Sequence, residues 1–223
     1  MRRRDQGQAF PSYIAVVGGL LFLAFAYFAI GQAAVTRNGA QTAADAAALA
    51  AAQDARDQLR DSWIEVLSDP TQWDRFLEGK EYIDSPACQR AAFFAAINDA
   101  ELWGDGCTRG IAGGEGFRVT IRTTGTVGSS LIPGTESQHA TATAEALIEP
   151  RCRFDAPPEP SQDPTPTAPS DGEAEPEEPE EPEKPEEPEP IEGLVCDGHS
   201  WVIDLEDPEL PSATDLFRVR LSD

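Results

Sequence analysis

The chain has 223 residues, 40 acidic against 17 basic side chains, and a formal charge of −23. Such a charge excludes a nucleic-acid partner, because phosphates would be repelled, and a total of two histidines excludes a multi-histidine metal site. The acidity is local: residues 1–154 carry 18 acidic and 14 basic residues (net −4), residues 155–192 carry 15 and one (net −14), and residues 193–223 carry seven and two (net −5).

No charged residue lies between Asp5 and Arg37. Residues 13–35 are long and apolar enough to cross a bilayer, since roughly 20 residues at 1.5 Å rise span the hydrocarbon core. Arg2, Arg3 and Arg4 precede this stretch and only Arg37 follows closely. The positive-inside tendency makes residues 1–12 a cytoplasmic stub and places the rest outside, a single-pass protein of the cell membrane. A secretory signal cut before Ala34 is the rival reading, but a signal core of about 7–15 residues is shorter than this stretch.

Residues 40–67 read as a second helical run, rich in alanine, the best helix former. Ala43, Ala47 and Ala51 form one narrow ridge, and Ala44, Ala48 and Ala52 form its neighbour. Leu59, Trp63 and Val66 make the later part amphipathic. Asn38-Gly39 is expected to bend or interrupt the passage from the membrane helix, because glycine costs about 1 kcal/mol in a helix interior.

The basic stub, the single membrane helix and the run from Gln41 through Thr42, Ala43, Ala44, Asp45, Ala46, Ala47, Ala48, Leu49, Ala50 and Ala51 to Ala52 together resemble the TadE/TadG-like proteins, membrane-anchored and pseudopilin-like components of tight-adherence (Flp) pilus assembly. The resemblance covers roughly residues 1–60. It implies packing of Ala43, Ala47 and Ala51 against partner helices, with Asp45 facing a cation or solvent. It also implies other pilin-like subunits, an inner-membrane assembly platform and the lipid bilayer as partners. Gly7 is the candidate prepilin-type cleavage point, although the fifth residue after it is Ser12 where the family has glutamate. Arginine outnumbers lysine 15 to 2, a usage that resembles actinobacterial members.

Beyond the alanine helix, Asp69-Pro70 starts a short helix over residues 70–78, closed by Gly79. Ser85-Pro86 starts another, to about Asp99, with Ala87, Ala91, Phe94 and Ile97 on its buried face. Gly104-Asp105-Gly106 reads as a turn. Residues 117–122 alternate apolar and polar as a half-buried strand, and residues 139–154 alternate again, with Pro150 at an end. Residues 125–134 are turn-rich, and residues 200–205 and 216–221 are further strand candidates. Helices followed by strands predict an α+β fold over residues 36–154: a small pilin-like domain with an antiparallel sheet. Residues 193–223 are expected to return to that domain and add strands.

Residues 155–192 hold 12 of the 19 prolines, with Pro176, Pro179, Pro182, Pro185 and Pro188 every third residue among glutamates. Such a segment cannot bury a core and is expected to be disordered or extended. Cys88, Cys107, Cys152 and Cys196 all follow the membrane stretch, which favours two disulfides in an oxidising compartment. Four cysteines allow three pairings; Cys88 with Cys107 and Cys152 with Cys196 is the favoured set. Cys196-Asp197-Gly198-His199 has half of a zinc-site spacing without a second half. Asp204, Glu206, Asp207 and Glu209 lack the spacing of a calcium loop. No nucleophile motif or phosphate loop is present, so neither enzyme activity nor a cofactor is expected. A structural role in pilus assembly is the leading expectation, and an anchored cell-envelope binding module with a disulfide-stabilised domain is the alternative.

Overall fold

The computed structural model describes residues 9–111, 114–126, 137–156, 189–206 and 208–222. Residues 1–8 of the basic stub, Gly7 among them, most of the turn-rich 125–134 segment, most of the acidic proline segment and Asp207 lie outside the described residues. The fold is α+β: helices with antiparallel β-pairing. The chain divides into two compact units, the first formed by residues up to Gln58, 82–149 and 219–223, the second by residues 59–81 and 150–218.

Helix α1 (Ala9–Glu65) is unbroken for 57 residues, about 86 Å at 1.5 Å per residue. Asn38-Gly39 does not interrupt it. Thr42 Oγ1 donates to the Asn38 carbonyl at 3.0 Å, and the alanines that follow propagate a helix already nucleated on the apolar side. The cost of one glycine is smaller than that of breaking such a run.

In the first unit, α1 is joined by α3 (Asp84–Ile97) and by the strands β1 (Ala100–Ile111), β2 (Gly114–Thr123) and β3 (Thr141–Pro150). These strands and β7 (Phe217–Leu221) form a four-stranded sheet in the order β1-β2-β3-β7. The β2–β3 register places Phe117 opposite Ala146 and Val119 opposite Ala144 on the buried face. Arg118 opposes Glu145, and Thr120 opposes Thr143, on the other face. Gly104-Asp105-Gly106 is not a chain reversal. It lies inside β1, where the register with β2 shifts between Leu102 and Cys107, and both glycines have φ near +64° (64° and 63°). Such an irregularity lets the strand continue past the unpaired residues 103–106.

Helix α3 begins one residue before Ser85, with Ile83 rather than serine at its cap. Its buried face is Ala87, Ala91 and Ala95, whereas Phe94 is half-buried and Ile97 is exposed. Close approach explains the preference for alanine. The Cys88–Cys107 disulfide holds α3 to β1 with Cα atoms 5.6 Å apart, a separation that leaves little room for large side chains. At the start of α3, Arg109 of β1 donates to Glu115 (3.1 Å), to the Tyr82 carbonyl (3.3 Å) and to Asp84 (3.5 Å), with its guanidinium 3.9 Å from the Tyr82 ring centroid. Tyr82 Oη donates to Glu115 at 3.1 Å. Burial pushes the Tyr82 phenol well above its ordinary pKa; Arg109 opposes this and Glu115 adds to it. The phenol therefore stays protonated and keeps its donor role.

The second unit contains a 3-10 turn (Pro70–Gln72), α2 (Trp73–Leu77), the strands β4 (Cys152–Phe154), β5 (Ile191–Cys196) and β6 (His199–Ile203), and α4 (Ala213–Leu216). Asp69 caps the 3-10 turn by accepting from the Thr71 amide, with Pro70 at the first position. The core is aromatic. Trp63 meets Trp73 edge-on at 5.3 Å between centroids, and Trp73 meets Phe154 at 4.9 Å. The three strands form one sheet in the order β4-β5-β6, with antiparallel β4–β5 and β5–β6 pairings.

Strand β5 has no counterpart in the sequence reading, because Gly193 breaks its apolar pattern. That glycine is needed. Its φ is +106°, and a Cβ there would lie 2.3 Å from the Asp155 carbonyl oxygen, which accepts no such approach; the Asp155 amide donates to the Gly193 carbonyl at 2.9 Å. Gly193→Ala is expected to cost about 1–3 kcal/mol from backbone conformation alone, read as a lowered urea midpoint with an unchanged m-value.

Candidate functional site

The two halves of α1 live in different surroundings. Phe10–Phe28 is the one described helix segment long and apolar enough to cross a bilayer, and none of it is buried in the protein. Phe10, Leu21, Phe22, Phe25 and Phe28 are all exposed. A surface of this kind is stable in lipid and not in water. The segment begins before the expected residue 13 and ends before residue 35, because hydropathy falls where alanine, glycine and Gln32 replace leucine and phenylalanine.

Burial begins at Ala40. Ala43, Ala44, Ala47, Ala48, Ala51, Ala52 and Ala55 are all 0% exposed. Ala43, Ala47 and Ala51 therefore have no exposed surface within this chain. Among the described residues of that unit, the largest fully buried side chains are Phe117, Ile121 and Val119. Asp45 is half-buried on the flank of the ridge and accepts from Gln41 Nε2 at 2.7 Å, an i,i+4 pair along the helix. At the far end of this half, Gln58 closes two hydrogen bonds with the backbone of Ile83, accepting from its amide at 3.0 Å and donating to its carbonyl at 3.2 Å.

The four cysteines form two bonds, Cys88–Cys107 and Cys152–Cys196, and none is free. Cys152 and Cys196 oppose each other in the β4–β5 pair with Cα atoms 4.0 Å apart. Arg151 reinforces this junction. Its guanidinium is ion-paired with Asp197 and donates to the Thr214 carbonyl at 2.7 Å, while its amide donates to the Leu216 carbonyl at 2.9 Å. The ends of the acidic proline segment thus leave from β4 and return through β5, side by side.

Cys196-Asp197-Gly198-His199 is a hairpin turn. Asp197 (φ 47°) and Gly198 (φ 84°) both lie in the left-handed region, and Cys196 pairs with His199 across the turn. That is the two-residue type I′ geometry which Asp-Gly favours. Around it a cleft of about 240 Å³ is lined by Arg151, Asp197, His199, Trp201 and Asp215. Among the described residues no group of three or more His, Cys, Asp or Glu side chains could hold a metal ion. Asp204 accepts from the Glu206 amide at 2.9 Å, which is a local turn.

Asp215 belongs to a complete capping box. Ser212 Oγ donates to Asp215 Oδ2 at 2.6 Å, the Ser212 amide donates to the same oxygen at 2.8 Å, and the Asp215 amide donates to Ser212 Oγ at 3.3 Å. The Ser212 hydroxyl and amide bonds hold the carboxyl below its ordinary value of 3.8. A depressed folded pKa stabilises above the unfolded value and is lost as pH falls through the folded one. Ser212→Ala is therefore expected to cost about 1 kcal/mol at neutral pH, and the difference from wild type should shrink below pH 3.8. Urea unfolding at pH 7 and in acid checks both the size and the sign.

Comparison with known proteins adds one positive finding. Residues 7–54 match the family described as "Putative Flp pilus-assembly TadE/G-like". No curated protein and no solved structure matches the chain. The match runs from before the apolar segment to the penultimate turns of the buried alanine run, so it spans both halves of the site. About a fifth of the chain is thus similar to TadE/G-like Flp pilus-assembly proteins, and residues 9–54 of that stretch lie on the unbroken helix α1.

Proposed function

We infer that the protein is a single-pass, minor pseudopilin-like component of a Flp pilus or related secretion system. Residues 13–35 act as a retained anchor, the arginine-bearing stub faces the cytoplasm, and residues 36–223 lie outside the membrane. Its partners are the lipid bilayer, other pilin-like subunits and the inner-membrane assembly platform. The role is structural, with no catalytic step and no cofactor.

The observation that carries this reading is the physical division of one continuous helix that the family match covers. Its first half is exposed and apolar; its second half is rooted in a folded unit. A force or position set in the membrane is transmitted to the outer unit without a joint, because an unbroken α-helix of this length has no flexible hinge.

Deletion of the gene in its native host is expected to abolish surface pili, with recovery on expression of the wild-type chain. A Leu21→Lys/Phe22→Lys variant should fail to restore them, because two charges at the bilayer centre cost about 5–7 kcal/mol on insertion scales. Normal pili in the deletion strain would refute the assignment. Protease accessibility in spheroplasts tests orientation, and protection of residues 36–223 there would overturn it.

A further inference from the structure

Helix α3 has its polarity reversed. Its small residues Ala87, Ala91 and Ala95 are buried, while Phe93 and Ile97 point out. Phe93 is 55% exposed, Ile97 59% and Ile83, at its cap, 66%. Pro86 and Arg90 are exposed between them. Ile83 is in extended backbone just before the helix, and the four helical positions after it are separated by four, three and four residues. That is the spacing of the seam in a left-handed helix pair, where residues three and four apart line one contact. It is not the pattern of scattered surface hydrophobes, which are normal and need no partner.

Arg90 sits at the middle of the stripe. Its guanidinium lies 5.7 Å from the Phe93 ring centroid and 5.2 Å from that of Phe94, and no carboxylate among the described residues pairs with it. An arginine in an apolar helix seam is acceptable only when the facing helix supplies an acid, since an unpaired buried charge is costly. It thereby fixes register and partner choice. Two copies of α3 packed in parallel would bring Arg90 against Arg90 of the other copy, so the parallel self-pairing that copies anchored in one membrane would make is disfavoured.

We propose that Ile83, Pro86, Arg90, Phe93 and Ile97 form a docking seam for an amphipathic α-helix of a different protein, with a carboxylate facing Arg90. The inference is drawn from α3 alone and does not require the pilus assignment.

The test is site-specific photo-crosslinking in the native host, using the full-length chain with p-benzoylphenylalanine at position 93 or 97. Thr108, on the opposite exposed face of β1, is the control position. Both seam probes are expected to join one heterologous protein at residues three or four apart on a single helix, next to an Asp or Glu. Arg90→Glu should lower the yield about tenfold, and an acid-to-arginine change in the partner should restore it. Arg90 is exposed, so the variant should keep its thermal midpoint and both disulfides. Adducts only to lipid, only to a second copy, or equal from Thr108 would overturn the proposal, as would an undiminished yield with Arg90→Glu. If the joined helix belongs to a protein outside pilus assembly, the seam stands and the pilus assignment falls.

Discussion

Replacing Ala47 and Ala51 together by leucine is expected to destabilise the isolated protein by about 2–6 kcal/mol, because overpacking costs about 1–3 kcal/mol per site. Both residues have no exposed surface. Each leucine adds three carbon atoms to a position where the backbone of α1 already lies against its neighbours. Interiors are packed at crystal-like density, so the added volume must displace helix or sheet. Thermal unfolding of the full-length chain in detergent micelles, in the absence of any other pilus protein, reads the effect. An unchanged midpoint would mean that the ridge is open to solvent and free for another subunit. The same variant is a poor test of assembly, because loss of pili would follow from loss of the fold. Substitutions in the exposed half of α1, or at Arg90, separate the two.

Removing the Cys152–Cys196 bond should cost about 4 kcal/mol, against about 3 kcal/mol for Cys88–Cys107, in the chain-entropy account. The difference comes from loop length: the first bond joins residues 44 apart and the second joins residues 19 apart. The longer loop contains the proline-glutamate segment, whose like charges keep the unfolded chain expanded once the bond is gone. Without the bond, β4 has three residues of pairing and the Arg151–Asp197 ion pair to hold it, and an exposed ion pair contributes at most about 1 kcal/mol. Guanidinium unfolding of Cys152→Ser/Cys196→Ser and Cys88→Ser/Cys107→Ser compares the two directly. A larger loss from the Cys88–Cys107 pair would show that native packing, and not loop closure, dominates.

Local chemistry was readable where one residue type settles a conformation. Asp69-Pro70 starts a helix because proline needs no amide partner at that position and aspartate supplies an acceptor, and Asp69 caps the turn as that logic requires. The strand around Phe117, Val119 and Ile121 follows from its alternation. The Asp197-Gly198 turn was also legible: Asp-Gly between two apolar runs is a hairpin signal, but a cysteine and a histidine beside it suggested half of a metal site. Strand β1 was hidden because its glycines read as a turn, and only pairing with β2 carries the chain through them. Strand β5 was hidden because the partner of Gly193, the Asp155 carbonyl, lies across a segment of more than thirty residues in sequence.

Helix α3 shows the limit most clearly. Periodicity finds two apolar stripes on it and cannot rank them. The expected buried face was Ala87, Ala91, Phe94 and Ile97; the structure buries Ala87 and Ala91 but takes Ala95 in place of Phe94 and Ile97, because the disulfide to β1 and the network around Arg109 demand close approach.

By itself the sequence determined what depends on neighbours in the chain: the apolar segment of α1, the alanine ridge, the local acidity of residues 155–192 and the resemblance of roughly residues 1–60 to TadE/TadG-like proteins. Those properties follow from composition and short-range spacing, which no distant contact alters. Which way each surface faces was decided only by tertiary structure. The alanine ridge turned inward and the large face of α3 turned outward, because burial depends on the closest distance that backbones far apart in sequence can reach, and residue type alone does not encode that distance.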